Sequence, residues 1–160
     1  MVMSKINNLL DEIRDIIVFE ISNTDYCTFI KDVTAIINPV TKLQGNNYNS
    51  DVTPVLFEGL EIPVFNLSKV MSNRYDSINS HSRIFIIEIG GQKYGFLVNR
   101  IKEIISFDKN YSNINLNFIK KNTENKNFCS GILDFEGNKY KMLDCKKIIE
   151  YYFEKNLIKI

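Results

Sequence analysis

Few residues in this 160-residue chain have a type and spacing that could do covalent chemistry. The one histidine, His81, lies in the polar stretch Asn79-Ser80-His81-Ser82, which reads as an exposed loop. A single histidine excludes HExxH and paired-His zinc ligation. Cys27, Cys129 and Cys145 stand far apart with no CxxC, and read as reduced, mostly buried thiols. A nucleophilic cysteine needs a base beside it, and the chain offers little choice of one. The carboxylate pairs Glu58/Glu61 and Asp134/Glu136 fall around hairpin turns, where acidic residues are ordinary. Lys120-Lys121 and Lys146-Lys147 read as solvated charges. There is no GxGxxG, Walker loop or GxSxG. The pattern points to binding, with no cofactor, no metal and no catalysis.

Composition narrows the binding partners. The chain is 44% hydrophobic and 24% charged, which is ordinary for a globular domain. Its formal net charge of +1 gives no electrostatic footprint for nucleic acid. Residues 1–80 carry a net −4 and residues 81–160 a net +5, so the two halves are differently decorated. No apolar run reaches the roughly 18 residues of a membrane span. With no signal peptide at Met1–Lys5 and unpaired cysteines, the expected compartment is the cytoplasm.

The elements that must position any binding surface are mostly strands. Ser4 caps a predicted amphipathic helix within residues 1–14, carrying Ile6, Leu9, Leu10 and Ile13. Ile16–Ile21 is β-branched and aromatic, and Tyr26–Ile30 comes after a Ser22–Asp25 turn. A third strand surrounds Ala35–Ile37. Val55–Phe57 and Glu61–Phe65 form a hairpin around Glu58-Gly59, and Asn66–Met71 reads as a helix. Gly59 and Gly137 read as tight-turn residues. Pro63, inside a strand, points to an edge or bulge.

The programme then repeats. Residues 16–37 align with 84–105 at an offset of 68, with six identities in twenty-two pairs. They include Ile16/Ile84, Glu20/Glu88, Tyr26/Tyr94 and Ile36/Ile104. At an offset of 78, Phe57-Glu58-Gly59 matches Phe135-Glu136-Gly137. The ten-residue change in offset falls near 110–127, an Asn- and Lys-rich stretch that reads as a surface loop. Each copy therefore holds about five short strands, which curl into a small barrel. The expected architecture is mainly β: two similar five-stranded barrels, occupying about 15–71 and 82–145, with a C-terminal helix at 146–155.

These residues resemble the CheW family, the adaptors of bacterial chemotaxis. Three stretches carry the resemblance: Ile17–Tyr26 with Val33–Ile37, the hairpin Phe57–Leu67, and Tyr94–Ile105. It covers about Asp15 to Ile149 and implies a CheW-like domain over 15–160. The implied fold is two intertwined five-stranded SH3-like β-barrels that exchange strands. The implied function is bivalent protein–protein binding. Such an adaptor couples the cytoplasmic tips of methyl-accepting chemoreceptors to the regulatory domain of the histidine kinase CheA, itself a domain of this fold. One barrel would pack end to end on the kinase domain, and the groove between barrels would take the receptor's helical hairpin.

By motif match, the resemblance places receptor contacts at Ile30, Val33, Glu58, Arg83, Gly95, Val98 and Ile101. Several positions depart from the family pattern. Glu58 stands where many members carry Arg, Thr53-Pro54 where they carry Gly-Val, Ala35 where they often have Glu, and Asn99 where they often have Asp. These departures suit a CheW-like module with its own receptor, or one that binds a CheA-type kinase domain or another partner without normal receptor coupling.

Overall fold

The computed structural model describes residues 15–39, 50–106, 114–118 and 128–155. The predicted N-terminal helix lies outside these residues. The chain order is β1 (Asp15–Ile21), β2 (Thr24–Phe29), a 3-10 turn (Ile30–Asp32), β3 (Val33–Ile37), β4 (Val52–Phe57), β5 (Leu60–Asn66) and α1 (Leu67–Ser72). Next come β6 (Arg83–Ile89), β7 (Gln92–Val98), β8 (Arg100–Ser106), β9 (Ile114–Phe118), β10 (Cys129–Phe135), β11 (Asn138–Leu143) and α2 (Cys145–Glu154).

Neither sheet is built from one copy of the repeat. The first has the order β8-β1-β2-β11-β10-β9, and the second β3-β6-β7-β5-β4. In each, the first two strands of one copy are flanked by the third strand and the hairpin of the other. The exchange is made by equivalent parallel pairings. Met142 lies opposite Cys27 in the first sheet, and Val64 opposite Gly95 in the second. These are the same pair after shifts of 78 and 68, so the register is repeated residue for residue.

Two differences from the sequence expectation stand out. The first sheet has six strands, because β9 pairs antiparallel with β10 inside the stretch that reads as a loop. The asparagines interrupting Ile114-Asn115-Leu116-Asn117-Phe118 give it the period-two alternation of a strand, which a surface-loop reading overlooks. Second, among the described residues no pairing joins the two ends of either sheet, so the SH3-like lobes are not strictly closed.

The exchange explains why Asp15–Ile21 and Arg83–Ile89 are nearly continuous apolar runs. Each strand is buried on both faces. Ile16 and Val18 enter a core private to the first lobe, with Cys27, Leu133 and Met142. Ile84 and Ile86 enter the second lobe's core, with Val55, Ile62 and Leu97. The opposite faces, Ile17 and Phe19 from β1 and Phe85 and Ile87 from β6, meet in a third core shared by both lobes. There Phe19 meets Phe85 edge-on at 5.0 Å, and Phe65 stacks on Phe96 at 5.3 Å. Tyr152 of α2 closes this core; its phenol donates to Asp51 Oδ2 at 2.5 Å.

Among the described residues, four two-residue hairpin turns have positive φ at both positions, the type I′ geometry that matches strand twist. Two are Glu58-Gly59 and Glu136-Gly137, with the glycines at φ +79° and +80°. Pro63 sits opposite Pro54 of the edge strand β4. It lies one residue before the parallel pairing of β5 with β7 begins at Val64, so its missing N–H interrupts neither ladder.

Candidate functional site

The molecule has two junctions where the lobes meet, related by the repeat. At each, the β5-type strand ends in a helix capped by its own side chain. Asn66 accepts from the Lys69 N–H, and Asp144 from the Lys147 N–H at 3.1 Å. The junctions then diverge.

Around Asp144 the lobes leave an open groove of about 540 Å³. Its walls are Phe29, Lys31 and Thr34 from the first copy, Ile87–Ile89 from β6, and Ser130 and Met142–Lys146 from the second copy's hairpin and α2. Around Asn66 the corresponding space is reduced to about 10 Å³, and Asp76, Ser77 and Ile78 of the α1–β6 linker form part of its wall.

A polar network anchors that linker. Asp76 Oδ2 accepts from Ser22 Oγ at 2.8 Å and from Asn99 Nδ2 at 3.1 Å. Asn99 Oδ1 accepts from the Ser22 N–H at 2.9 Å and from Ser68 Oγ at 3.0 Å. Partial burial pushes the Asp76 carboxyl up, but hydrogen bonds from Ser22, Ser68 and Asn99 and the Arg74 charge outweigh it and hold it below its ordinary value. This gives a local reason for Asn99. An aspartate there would bring a second carboxylate against Asp76 and could donate nothing to it.

The seven residues suggested by motif match fall in several settings. Ile30, Val33 and Ile101 are half-buried and pack against the shared core, and Val98 is buried within it. Ile101 lies opposite Phe19, Val33 opposite Ile87, and Arg83 opposite Val98. Arg83 Nη1 donates to the carbonyls of Ser80 and Ser82 at 2.9 and 2.7 Å. Gly95 is buried in the second lobe, where an added Cβ would come within 2.7 Å of Val64 Cγ2 and 3.0 Å of Ile84 Cγ2. Glu58 is exposed at its turn and pairs with Lys93 at 3.2 Å. An arginine at 58 would instead face that lysine, so the departure at 58 is matched within this chain. None of the seven lines the 540 Å³ groove.

The groove walls escape sequence reading because strand exchange assembles them from both copies. The repeat alignment holds the only signal. Phe29, Lys31, Asp144 and Lys146 are the images of Leu97, Asn99, Asn66 and Ser68, which line the filled junction.

The two hairpin tips also differ. Leu56 and Leu60 are 63% and 65% exposed, whereas their images are Asp134 and Asn138. Ile36 on β3 and its image Ile104 on β8 are both exposed, each on the edge strand of its sheet. Exposed aliphatics on edges and tips are surface that a partner could cover.

The cysteines and the histidine lie in ordinary surroundings. Burial, with Cys129 nearby, pushes the Cys27 thiol up to about 12, and burial also raises Cys129. Protonated thiols are poor nucleophiles. His81 is exposed in a turn. Among the described residues no three His, Cys, Asp or Glu side chains gather as a metal site, and no helix is long and apolar enough to cross a membrane.

Comparison with known proteins agrees with this architecture. The CheW-like domain family matches residues 15–152. A solved structure of the scaffolding protein TtCheW from Thermoanaerobacter tengcongensis is similar, with a TM-score of 0.62 and 26% identity. The match covers 81% of this chain and 88% of that one. No curated protein sequence matches the chain. CheW-like domains are a non-catalytic family of scaffolds and adaptors. Exchanged strands, a core shared between two lobes and a family match over most of its length together establish that the chain belongs to the CheW-like domain family.

Proposed function

We propose that this protein is a chemotaxis adaptor. It couples the cytoplasmic tips of methyl-accepting chemoreceptors to the regulatory domain of the histidine kinase CheA by binding both. It acts in the cytoplasm, recruited to receptor arrays at the membrane. The observation that carries this reading is the two-lobe CheW-like fold, shared with a scaffolding protein at 26% identity. Such a fold transmits by holding partners in fixed register and needs no large internal motion. The receptor side is placed, by motif match, at the half-buried Ile30, Val33 and Ile101 with Arg83 and Glu58, while the buried Val98 and Gly95 of the motif set would support that surface from beneath.

The test is a pair of calorimetric titrations on the purified protein, against the CheA regulatory domain of the same organism and against a receptor-tip fragment. Binding to both is expected, and binding to neither overturns the proposal. Val33→Asp puts a charge on the assigned surface and is expected to weaken receptor binding by a few kcal/mol. Circular dichroism separates that loss from unfolding.

A second reading has its own observation. Glu58 is paired with Lys93 and opposite in charge to the family's usual arginine. Binding to the kinase domain alone would favour a module without normal receptor coupling. Glu58→Arg would then be expected to restore receptor binding.

A further inference from the structure

We propose that the 540 Å³ groove beside α2 receives a non-helical peptide segment of a partner protein, carrying a carboxylate side chain followed two positions later by an aliphatic residue. The reason is that the molecule contains the same site twice, once filled. The repeat maps walls of the filled junction onto the other: Leu97 onto Phe29, Asn66 onto Asp144, Asn99 onto Lys31 and Ser68 onto Lys146. The helix caps and the parallel pairing beside them are also repeated. In the filled copy the occupant is a segment of this chain without regular secondary structure. Asp76 is held by Asn99 and Ser22, and Ile78 packs against the second lobe's core.

In the open copy, Lys31 and Lys146 stand at the positions of Asn99 and Ser68. Both are exposed in the groove wall, with Lys31 Nζ 5.7 Å from the centroid of the Phe29 ring, and an ammonium group donates to carboxylates. Asp32, Glu88 and Asp144 also line the groove, and Asp144 uses Oδ1 to cap α2. With three acids against two lysines in the lining, the proposal places the carboxylate subsite at the lysines alone. Phe29 and Met142 offer the apolar subsite; they are the images of Leu97 and Val64, two members of the core cluster against which Ile78 packs. The volume is within the roughly 300–1,000 Å³ range of ligand pockets.

The probe is a synthetic peptide with the sequence of residues 74–82, the chain's own filler, titrated into the full-length protein and followed by amide NMR. Saturable shifts are expected at Phe29, Thr34, Ile87 and Ser130. Peptides with Asp76→Asn or Ile78→Ser, and the protein variant Lys146→Glu, should each weaken binding about tenfold. Lys146 lies in the first turn of α2, where an acid suits the helix dipole, so the fold is retained. Lys146→Gln supplies a neutral check. Absence of saturation overturns the proposal, as does a footprint at Asn66 and Asn99 or indifference to the variants. The kinase and receptor titrations decide the adaptor reading separately.

Discussion

The two junctions of this molecule have the same strands, register and helix caps, yet among the described residues one is filled by the chain and the other is not. What fills the closed one is the linker after α1. After α1 the linker returns over the junction and is fixed there by Asp76, Ser22 and Asn99. In the longer α2, Tyr152 instead reaches Asp51 and closes the shared core. A duplicated scaffold can thus fill one copy of a junction with its own linker without filling the other in the same way.

The comparison is broken most severely through the shared core. Phe19→Ala should cost about 3–5 kcal/mol. Because the sheets exchange strands, both lobes should unfold in one transition, seen by coincident far-UV and tyrosine signals in urea. Two separate transitions would mean the lobes are independent despite the exchange.

Paired positions across the parallel ladders give the next effect. Cys27 lies opposite Met142 in the first lobe, and its image Gly95 opposite the branched Val64 in the second. Gly95→Cys copies the first lobe into the second and should destabilise by about 1–3 kcal/mol through overpacking. Adding Val64→Ala, which opens space beside the new Cβ, should recover part of that loss, measured by denaturant midpoint.

The polar network sharpens the contrast further. Asn99→Asp should cost about 1 kcal/mol at neutral pH by setting a second carboxylate against Asp76. The penalty should shrink as acidification protonates one of the two. In the native protein the sign is opposite. Asp76 has a lowered folded pKa, so its contribution is present above the unfolded value near 3.9 and is lost as pH falls through the folded value. Lys31→Asp at the equivalent open position should leave stability within about 0.5 kcal/mol. Thermal melts across pH on both variants check the pair.

The smallest effect belongs to the hairpin tips. Glu58 and Lys93 form an exposed pair at 3.2 Å, so Glu58→Ala should change stability by less than about 1 kcal/mol, and less at high salt. A larger loss would show that the tip contributes to the fold as well as to its surface.

Much of this is legible in the chain. Period-two runs, turn residues at Glu58-Gly59 and Glu136-Gly137, and the repeat at offsets of 68 and 78 identify the strands and their duplication. β9 is hidden because its short apolar alternation is set among asparagines in a stretch that also resembles a loop. The candidate residues Ile30, Val33, Val98 and Ile101 stand out as aliphatics in repeated positions, but periodicity does not say whether a side chain faces a core or a partner. The groove residues from Thr28 to Lys146 carry no local signature.

The sequence by itself determined the local geometry, because propensity, alternation and turn chemistry act over a few residues. It also determined the twofold repetition. Only the tertiary structure decided which strands pair. A parallel contact such as Val64 with Gly95 joins distant segments and is selected by burial of both faces of β1 and β6, a property of the assembled molecule. Tertiary packing also decided that Asp76 and its linker fill the junction around Asn66, because the anchoring groups Ser22, Ser68 and Asn99 come from segments far apart in the chain.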